Sequence, residues 1–196
     1  MKIAALIIGI DGWEQYTLPL IESIQRYEPD TEIVVIDNGS TIPYPPYPFV
    51  RYTARTCYAK AINTAATFAP DADWYIILSN DVVCNEKFHY ILQANKDDSI
   101  LGEIHHVNNI PFAMGWCVFT RRKVFEEVDG WDENYVVSSW EDVDYSMIVR
   151  RSGYDVTELV TMPFTHLDQR QRFGMPEFQG THERNKQYFM KKWGLS

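Results

Sequence analysis

The chain has 196 residues, few cysteines, a shortage of cations and no long apolar run, and each shortage removes a class of function. Cys57, Cys84 and Cys117 lie far apart with no CxxC pair, so neither a zinc site nor a disulfide framework is indicated. A reducing, cytoplasmic setting fits that usage. Lys and Arg number 18 against 27 Asp and Glu, and the resulting net charge of −9 argues against a broad nucleic-acid-binding surface. The first apolar run, Ile3 to Ile10, is too short to span a membrane and carries no cleavage pattern. No GxGxxG follows it, which disfavours a nicotinamide cofactor. There is no internal repeat and no low-complexity tract.

What remains is an ordinary globular composition. Hydrophobic residues make up 45% and charged residues 23%, so one sizeable domain over residues 1–196 is expected. Aromatic residues reach 14%, a content that serves a core as well as it serves stacking on sugars or bases.

The central stretch is Asp73 to Val82. Trp74 to Leu78 is short, aromatic and β-branched, the pattern of a fully buried strand, and Ser79-Asn80-Asp81 closes it. Such an ending is either a plain polar turn or a set of hard oxygen ligands at the carboxyl edge of a sheet, with Asp81 holding a divalent cation. Ile3 to Ile10 reads as a first buried strand, ended by Asp11-Gly12. A helix to about Tyr27 follows, with Pro19 in its first turn and an apolar face of Leu20, Ile21 and Ile24. Glu32 to Ile36 is a second buried strand that again stops at a carboxylate, in Asp37-Asn38-Gly39-Ser40. The proline-rich residues 41 to 48 form a stiff connection, a short strand lies near Phe49 to Tyr52, and Tyr58 to Phe68 reads as a helix. Lys60 and Asn63 lie near the start of that helix, where a cation attracts phosphate or simply faces water. The alternation predicts an α/β sheet with crossover helices.

In the second half, Phe88 to Ala94 reads as a helix and Ile100 to Val107 as a strand. Phe112 to Phe119 is a further apolar run, in which Gly115 permits close approach. Arg121 to Val128 reads as a helix, Asp129 to Glu133 as a turn, and Ser139 to Arg151 as a helix capped by Ser138 or Ser139. On that last helix Trp140, Val143 and Met147 share one face; Asp144 falls near it, and Asp142 points away. Its first-turn acids either complement the helix dipole or face a site. Val156 to Thr165 reads as extended and leads to His166, a structural histidine, a metal ligand or a proton carrier.

Together these segments resemble the family 2 glycosyltransferases, rhamnosyltransferase-like members included, over nearly the whole chain. Residues 34–40 are similar to the family's VVDNGS segment, and 57–63 to its GFAxAxN segment with Cys57 in place of Gly. Leu78-Ser79-Asn80-Asp81-Val82 resembles the LNNDV form of the DXD motif, residues 124–133 resemble VFExVGGFDE, and Trp140 to Asp144 resembles the ED motif. His166 stands where the family has a late metal-binding His, and Asn185 to Gly194 is similar to its RNxxxFxxKWG helix. Ile8-Gly9-Ile10-Asp11 replaces the usual Pro-Thr-Tyr-Asn, and residues 169–173 are similar to the QxxRW motif with Phe for Trp.

The resemblance implies a GT-A fold: one Rossmann-like domain with a mixed, mostly parallel central sheet flanked by helices. Residues 1–82 would form its nucleotide-binding half, and 83–196 its acceptor-binding half with a C-terminal tail. It implies an inverting enzyme of the hexosyltransferase type that moves one sugar from a UDP- or dTDP-sugar to an acceptor hydroxyl on a glycan, a lipid-linked sugar or a protein. Asp81 and His166 would bind Mn²⁺ or Mg²⁺. Ile8, Gly9, Asp11, Asp37, Lys60, Asn63, Asn80 and Asp81 would bind the nucleotide, with Asp37 on the N3–H of the base. Gly115, Trp116, Trp140, Glu141, Arg170 and Arg172 would meet donor sugar, diphosphate or acceptor, and Asp142, beside Glu141, would be the catalytic base. No nucleic acid and no membrane span are expected. A nucleotidyltransferase of similar layout, and a catalytically inactive nucleotide- or sugar-binding module, are the competing readings.

Overall fold

A computed structural model describes residues 1–45, 50–95, 99–167 and 176–195, with the backbone alone for 176–179. Strand β1 (Ile3–Gly9) is buried at every position because it has a neighbour on each edge and a layer on each face. β2 (Glu32–Asp37) and β4 (Trp74–Ser79) flank it in parallel, and β3 (Val50–Arg51) pairs in parallel with β2. Beyond β4 comes β7 (Ile110–Arg121), antiparallel to it and to β6 (Ser99–Val107), and β8 (Asp155–Glu158) lies parallel to β6. The sheet order is β3-β2-β1-β4-β7-β6-β8, and β5 (Val82–Cys84) and β9 (Phe164–His166) form a separate antiparallel ribbon.

The chain builds β2 and β3 to one side of β1 and then returns to place β4 on the other. Ligands bind at the carboxyl ends of strands where the order reverses in this way. The register aligns those ends: Ile8 is opposite Ser79, and Gly9 is opposite Asp37.

Strand alternation sorts the core into two layers. On one face Ile3, Ala5 and Ile7 pack with Trp74, Ile76 and the apolar stripe of α1 (Leu18–Tyr27): Leu20, Ile21 and Ile24. On the other, Ala4, Leu6 and Ile8 pack with Tyr75, Ile77 and the alanine-rich stripe of α2 (Tyr58–Ala66). Among the described residues no helix is long and apolar enough to cross a membrane.

Several element boundaries differ from the sequence expectation. The helix expected after Gly12 opens as a π-helical turn, Trp13–Thr17, with Gly12 left-handed at φ 63° and its carbonyl accepting from Tyr16 and Thr17 N–H. The stretch from Val156 to Thr165 divides into β8 and β9. The short helices α3 (His89–Ala94) and α4 (Arg122–Glu127) lie where helices were expected. α5 (Glu141–Arg151) starts later than expected, with Trp140 at its N-cap position and no side-chain cap. Neither Ser138 nor Ser139 caps it; the Ser139 hydroxyl shares a hydrogen bond with His182 Nδ1 instead (2.7 Å).

α6 (Pro176–Trp193) closes a third cluster, in which Phe189 packs with Tyr135, Trp140 and Val143. Asp144 is fully buried and accepts from Lys192 Nζ (2.7 Å) and Trp193 Nε1 (2.7 Å). Burial pushes its carboxyl up, against the pull of those two donors. Lys192 also donates to Asp132 (2.6 Å), as does the Tyr188 hydroxyl (2.8 Å). Burial works to raise Asp132 too, but the bonds from Lys192, Asn134 and Tyr188 outweigh it and hold the group at about 2.

A carboxyl depressed in the fold adds stability above its unfolded value and loses it as pH falls through the folded one. Asp132→Asn is therefore expected to cost about 1–2 kcal/mol near neutral pH, less than the full shift converts to because the carboxylate stays partly solvated. The gap from the native protein should close between about pH 4 and pH 2. Denaturant melts of both proteins across that range measure it.

Candidate active site

The β5–β9 ribbon creates the first half of the site. It sets Val82 opposite His166, and Leu167 N–H donates to the Asp81 carbonyl (2.8 Å). His166 Nε2 then lies 3.1 Å from Asp81 Oδ2, while the Ser79 hydroxyl donates to Asp81 Oδ1 (2.6 Å). Burial works to raise the Asp81 carboxyl, but the bonds from His166 and Ser79 prevail and hold it below the usual range. The His166 ring lies flat on Trp116, with centroids 5.2 Å apart and planes within 5°. Trp116 Nε1 donates to Glu103 (2.9 Å), whose other oxygen pairs with His105 (3.0 Å).

The donor set fits a divalent cation. Adjacent ligands of an octahedral ion with bonds of about 2.1 Å stand about 3.0 Å apart, close to the 3.1 Å between these two atoms. Among the described residues no group of three or more His, Cys, Asp or Glu could hold a metal, so the protein would supply two donors here and leave the other positions open. A carboxylate with an imidazole suits Mn²⁺ better than Mg²⁺.

Several residues expected to contact a nucleotide also brace the loops at the strand ends. Asn80 Nδ2 donates to the Asp11 carbonyl (3.1 Å), Thr17 Oγ1 (3.0 Å) and the Tyr44 hydroxyl (3.1 Å). Tyr44 in turn donates to the Asp11 carbonyl (2.9 Å), and burial pushes its hydroxyl up to about 12, so it stays neutral. Gly9 makes room for that ring: a Cβ there would sit 2.4 Å from the Tyr44 oxygen. The Asp11 carboxylate accepts from Thr41 N–H (2.8 Å). Asp37 is wholly buried, accepts from Ser40 N–H (2.9 Å) and Tyr44 N–H (3.2 Å), and forms an ion pair with Arg51 Nε (3.3 Å). Its carboxylate therefore ties down the loop after β2.

Lys60 is exposed on α2 and does not line the cleft at the strand ends. Asn63 is taken up by residue 131, donating to its carbonyl (2.8 Å) and accepting from its N–H (2.9 Å). Arg170 and Arg172 lie outside the described residues. The cation that does line the cleft is Arg55, with Tyr58 beside it, facing Ile8, Gly9, Asn80 and Asp81 from the strand ends and Val137 and Ser138 from the segment before α5. Sequence reasoning missed Arg55 because it precedes α2 in a stretch with no periodicity. A wider depression of about 660 Å³ is lined by Glu126, Asp129, Asp132 and Glu133 with no Lys or Arg, which does not suit a diphosphate.

The second half of the site comes from β7 and α5. Gly115 N–H donates to Asp142 Oδ2 (3.0 Å), and the Gly115 carbonyl accepts from the Tyr58 hydroxyl (3.2 Å). One glycine thus links Asp142 to a residue of the cleft. Glu141 is buried beside it, and Trp140 is buried in the left-handed region at φ 72°. Val137 and Ser139 also have positive φ, 60° and 107°.

No family model matches the chain, and no curated protein matches it by sequence. Solved structures do match it by shape. A mannosyltransferase from Pyrobaculum calidifontis, solved with GDP-Man and Mn²⁺, superposes with a TM-score of 0.65 at 15% identity over 81% of this chain and 54% of its own. The fold is GT-A. The catalytic domain of Drosophila β1,4-galactosyltransferase 7, solved with xylobiose, gives 0.62 at 18% identity over 87% and 73%. GalNAc-T7, with UDP, GalNAc and Mn²⁺, gives 0.68 at 13% identity over 84% and 43%. This GT-A chain thus spans about half the length of the mannosyltransferase that it matches.

Within the GT-A sheet, Gly115 is a close joint between β7 and α5. A Cβ there would stand 3.2 Å from both Cβ and Oδ2 of Asp142. Gly115→Ala is expected to destabilise by about 1–3 kcal/mol through overpacking. In an Asp142→Gly background, which removes the opposing atoms, the cost should shrink, and a double-mutant cycle of denaturant melts measures the difference.

Proposed function

We propose that this chain is a metal-dependent, inverting glycosyltransferase similar to family 2, which moves one sugar from a nucleoside diphosphate sugar to an acceptor hydroxyl. The observation that carries the reading is the Asp81–His166 pair, 3.1 Å apart at the carboxyl end of the central strand of a GT-A sheet. The matched structures that hold Mn²⁺ with GDP-Man, or with UDP and GalNAc, support it.

Asp81 and His166 would hold Mn²⁺ or Mg²⁺. Such an ion, when bound, stabilises the charge that gathers on a leaving diphosphate as a Lewis acid does. Arg55 brings a guanidinium to the same cleft, a group suited to phosphate oxygens. Asp142 takes the proton of the acceptor hydroxyl as that oxygen bonds to the anomeric carbon and the carbon–oxygen bond to the diphosphate breaks. The Gly115 N–H holds Oδ2 of Asp142 in direction while Oδ1 accepts from Val143 N–H (3.0 Å). Attack from the face opposite the leaving group inverts the anomeric carbon. Glu141, Trp140 and Trp116 are proposed to shape the sugar end of the site. Three free thiols, two of them buried, fit the cytoplasm.

Asp37 and its neighbours at the strand ends are proposed to choose the base among UDP, dTDP and GDP. A thermal-shift screen of those three with and without Mn²⁺ tests the reading, since a ligand of the folded state raises its midpoint. A Mn²⁺-dependent rise with at least one of them is expected, and no rise with any would sink the proposal. Asp81→Ala should abolish the Mn²⁺-dependent part of the shift and leave the protein folded by circular dichroism. An undiminished shift in that variant removes Asp81 as the metal ligand.

The base has its own test. Asp142→Asn is expected to keep nucleotide and Mn²⁺ binding and to lower turnover by about 10²–10⁴-fold, the usual contribution of a positioned general base. Near-native transfer or donor hydrolysis by that variant would assign the proton to another group.

A further inference from the structure

α6 meets residues 136–140 through one stripe. His182, Asn185 and Phe189, spaced three and four apart, share one side of the helix. Asn185 is only 1% exposed, and both ends of its amide engage the segment before α5. Oδ1 accepts from Val136 N–H (2.9 Å), and Nδ2 donates to the carbonyls of Val136 (2.9 Å), Ser139 (3.0 Å) and, at the limit of range, Ser138 (3.5 Å). Phe189 packs on Trp140 with centroids 5.1 Å apart.

The gripped segment is the strained one. Val137, Ser139 and Trp140 all have positive φ, and none is glycine. A β-branched residue is especially disfavoured there by its own side chain, so this conformation persists only where its surroundings hold it. The same segment lines the cleft with Val137 and Ser138, and the Val137 carbonyl accepts from Tyr58 N–H (2.8 Å). It then runs directly into Glu141 and Asp142. Asn185 itself does not line the cleft.

We propose that Asn185 is a positioning residue for the donor: it clamps residues 136–140 in their strained conformation and so completes the donor cleft from a helix outside it. Donor binding and the docking of α6 are then coupled, because each favours the same arrangement of the segment. This rests on the reading of the cleft as a nucleotide-sugar site, and the test separates the two ideas.

UDP, dTDP and GDP are each titrated with Mn²⁺ into the native protein, Asn185→Asp, Asn185→Ala and Tyr188→Phe by calorimetry. Both Asn185 variants should bind about tenfold or more weakly, since a buried amide that loses its partners leaves carbonyls unpaired. Tyr188→Phe removes a bond from α6 to Asp132 and leaves every Asn185 bond to residues 136–140 in place, so it should melt lower with unchanged affinity. Equal affinity of native protein and a folded Asn185→Asp overturns the inference and leaves the function standing. No binding of any of the three by the native protein overturns the function and the inference with it. Hydrogen exchange on the native protein needs no variant to fold. Nucleotide with Mn²⁺ should slow exchange in residues 136–140 and in residues 181–189 together, and slowing in the first alone overturns the coupling.

Discussion

The site depends on the parallel pairing of β1 with both β2 and β4. A parallel ladder carries no hairpin, so its ends are free to be set level by register alone. Here the register brings Gly9, Asp37 and Ser79 to one edge, and the Asn38 N–H bond to the Gly9 carbonyl (2.7 Å) fastens two of those ends together. Slipping either pairing by one residue would move every apolar side chain of that strand to the opposite layer. The burial of both layers therefore fixes the positions of the polar residues that follow the strands.

Around that edge most polar groups are spent on architecture. Asn80, Tyr44, Thr17 and Asp11 bond to one another, Asp37 ties down the loop after β2, and Asn63 anchors the turn at Trp131. A low-dielectric setting makes such networks costly to leave half satisfied. They set the loops rigidly, and rigid loops hold Asp81, His166, Arg55 and Asp142 to one geometry.

The sequence made the buried strands legible because both faces of β1 and β4 are covered, which demands uninterrupted apolar runs. The sheet with crossover helices followed from their alternation with amphipathic helices. Asp81 and His166 could be singled out because a strand end and an isolated late histidine leave a visible signal, and the resemblance joined them. What stayed hidden was set by distant contacts. The left-handed Trp140 packs on Phe189 of α6, and Ser139 beside it accepts from Asn185, contacts that no local pattern announces. Asp37 ends its strand in the same way as the Ser79–Asp81 stretch does, yet the loop of residues 40–44 wraps over it and uses its oxygens. Asn63 was expected among the nucleotide contacts on the resemblance alone. The left-handed Gly130, with no Cβ to block the way, lets the neighbouring backbone claim it instead.

The ribbon of β5 and β9 has a consequence for how the molecule comes into being. Asp81 and His166 are 85 positions apart, and between them lie β6, β7, both short helices and α5. A chain emerging from the ribosome exposes the carboxylate long before the imidazole exists. A truncated or half-made chain that ends before residue 166 therefore carries the aspartate without the imidazole that pairs with it.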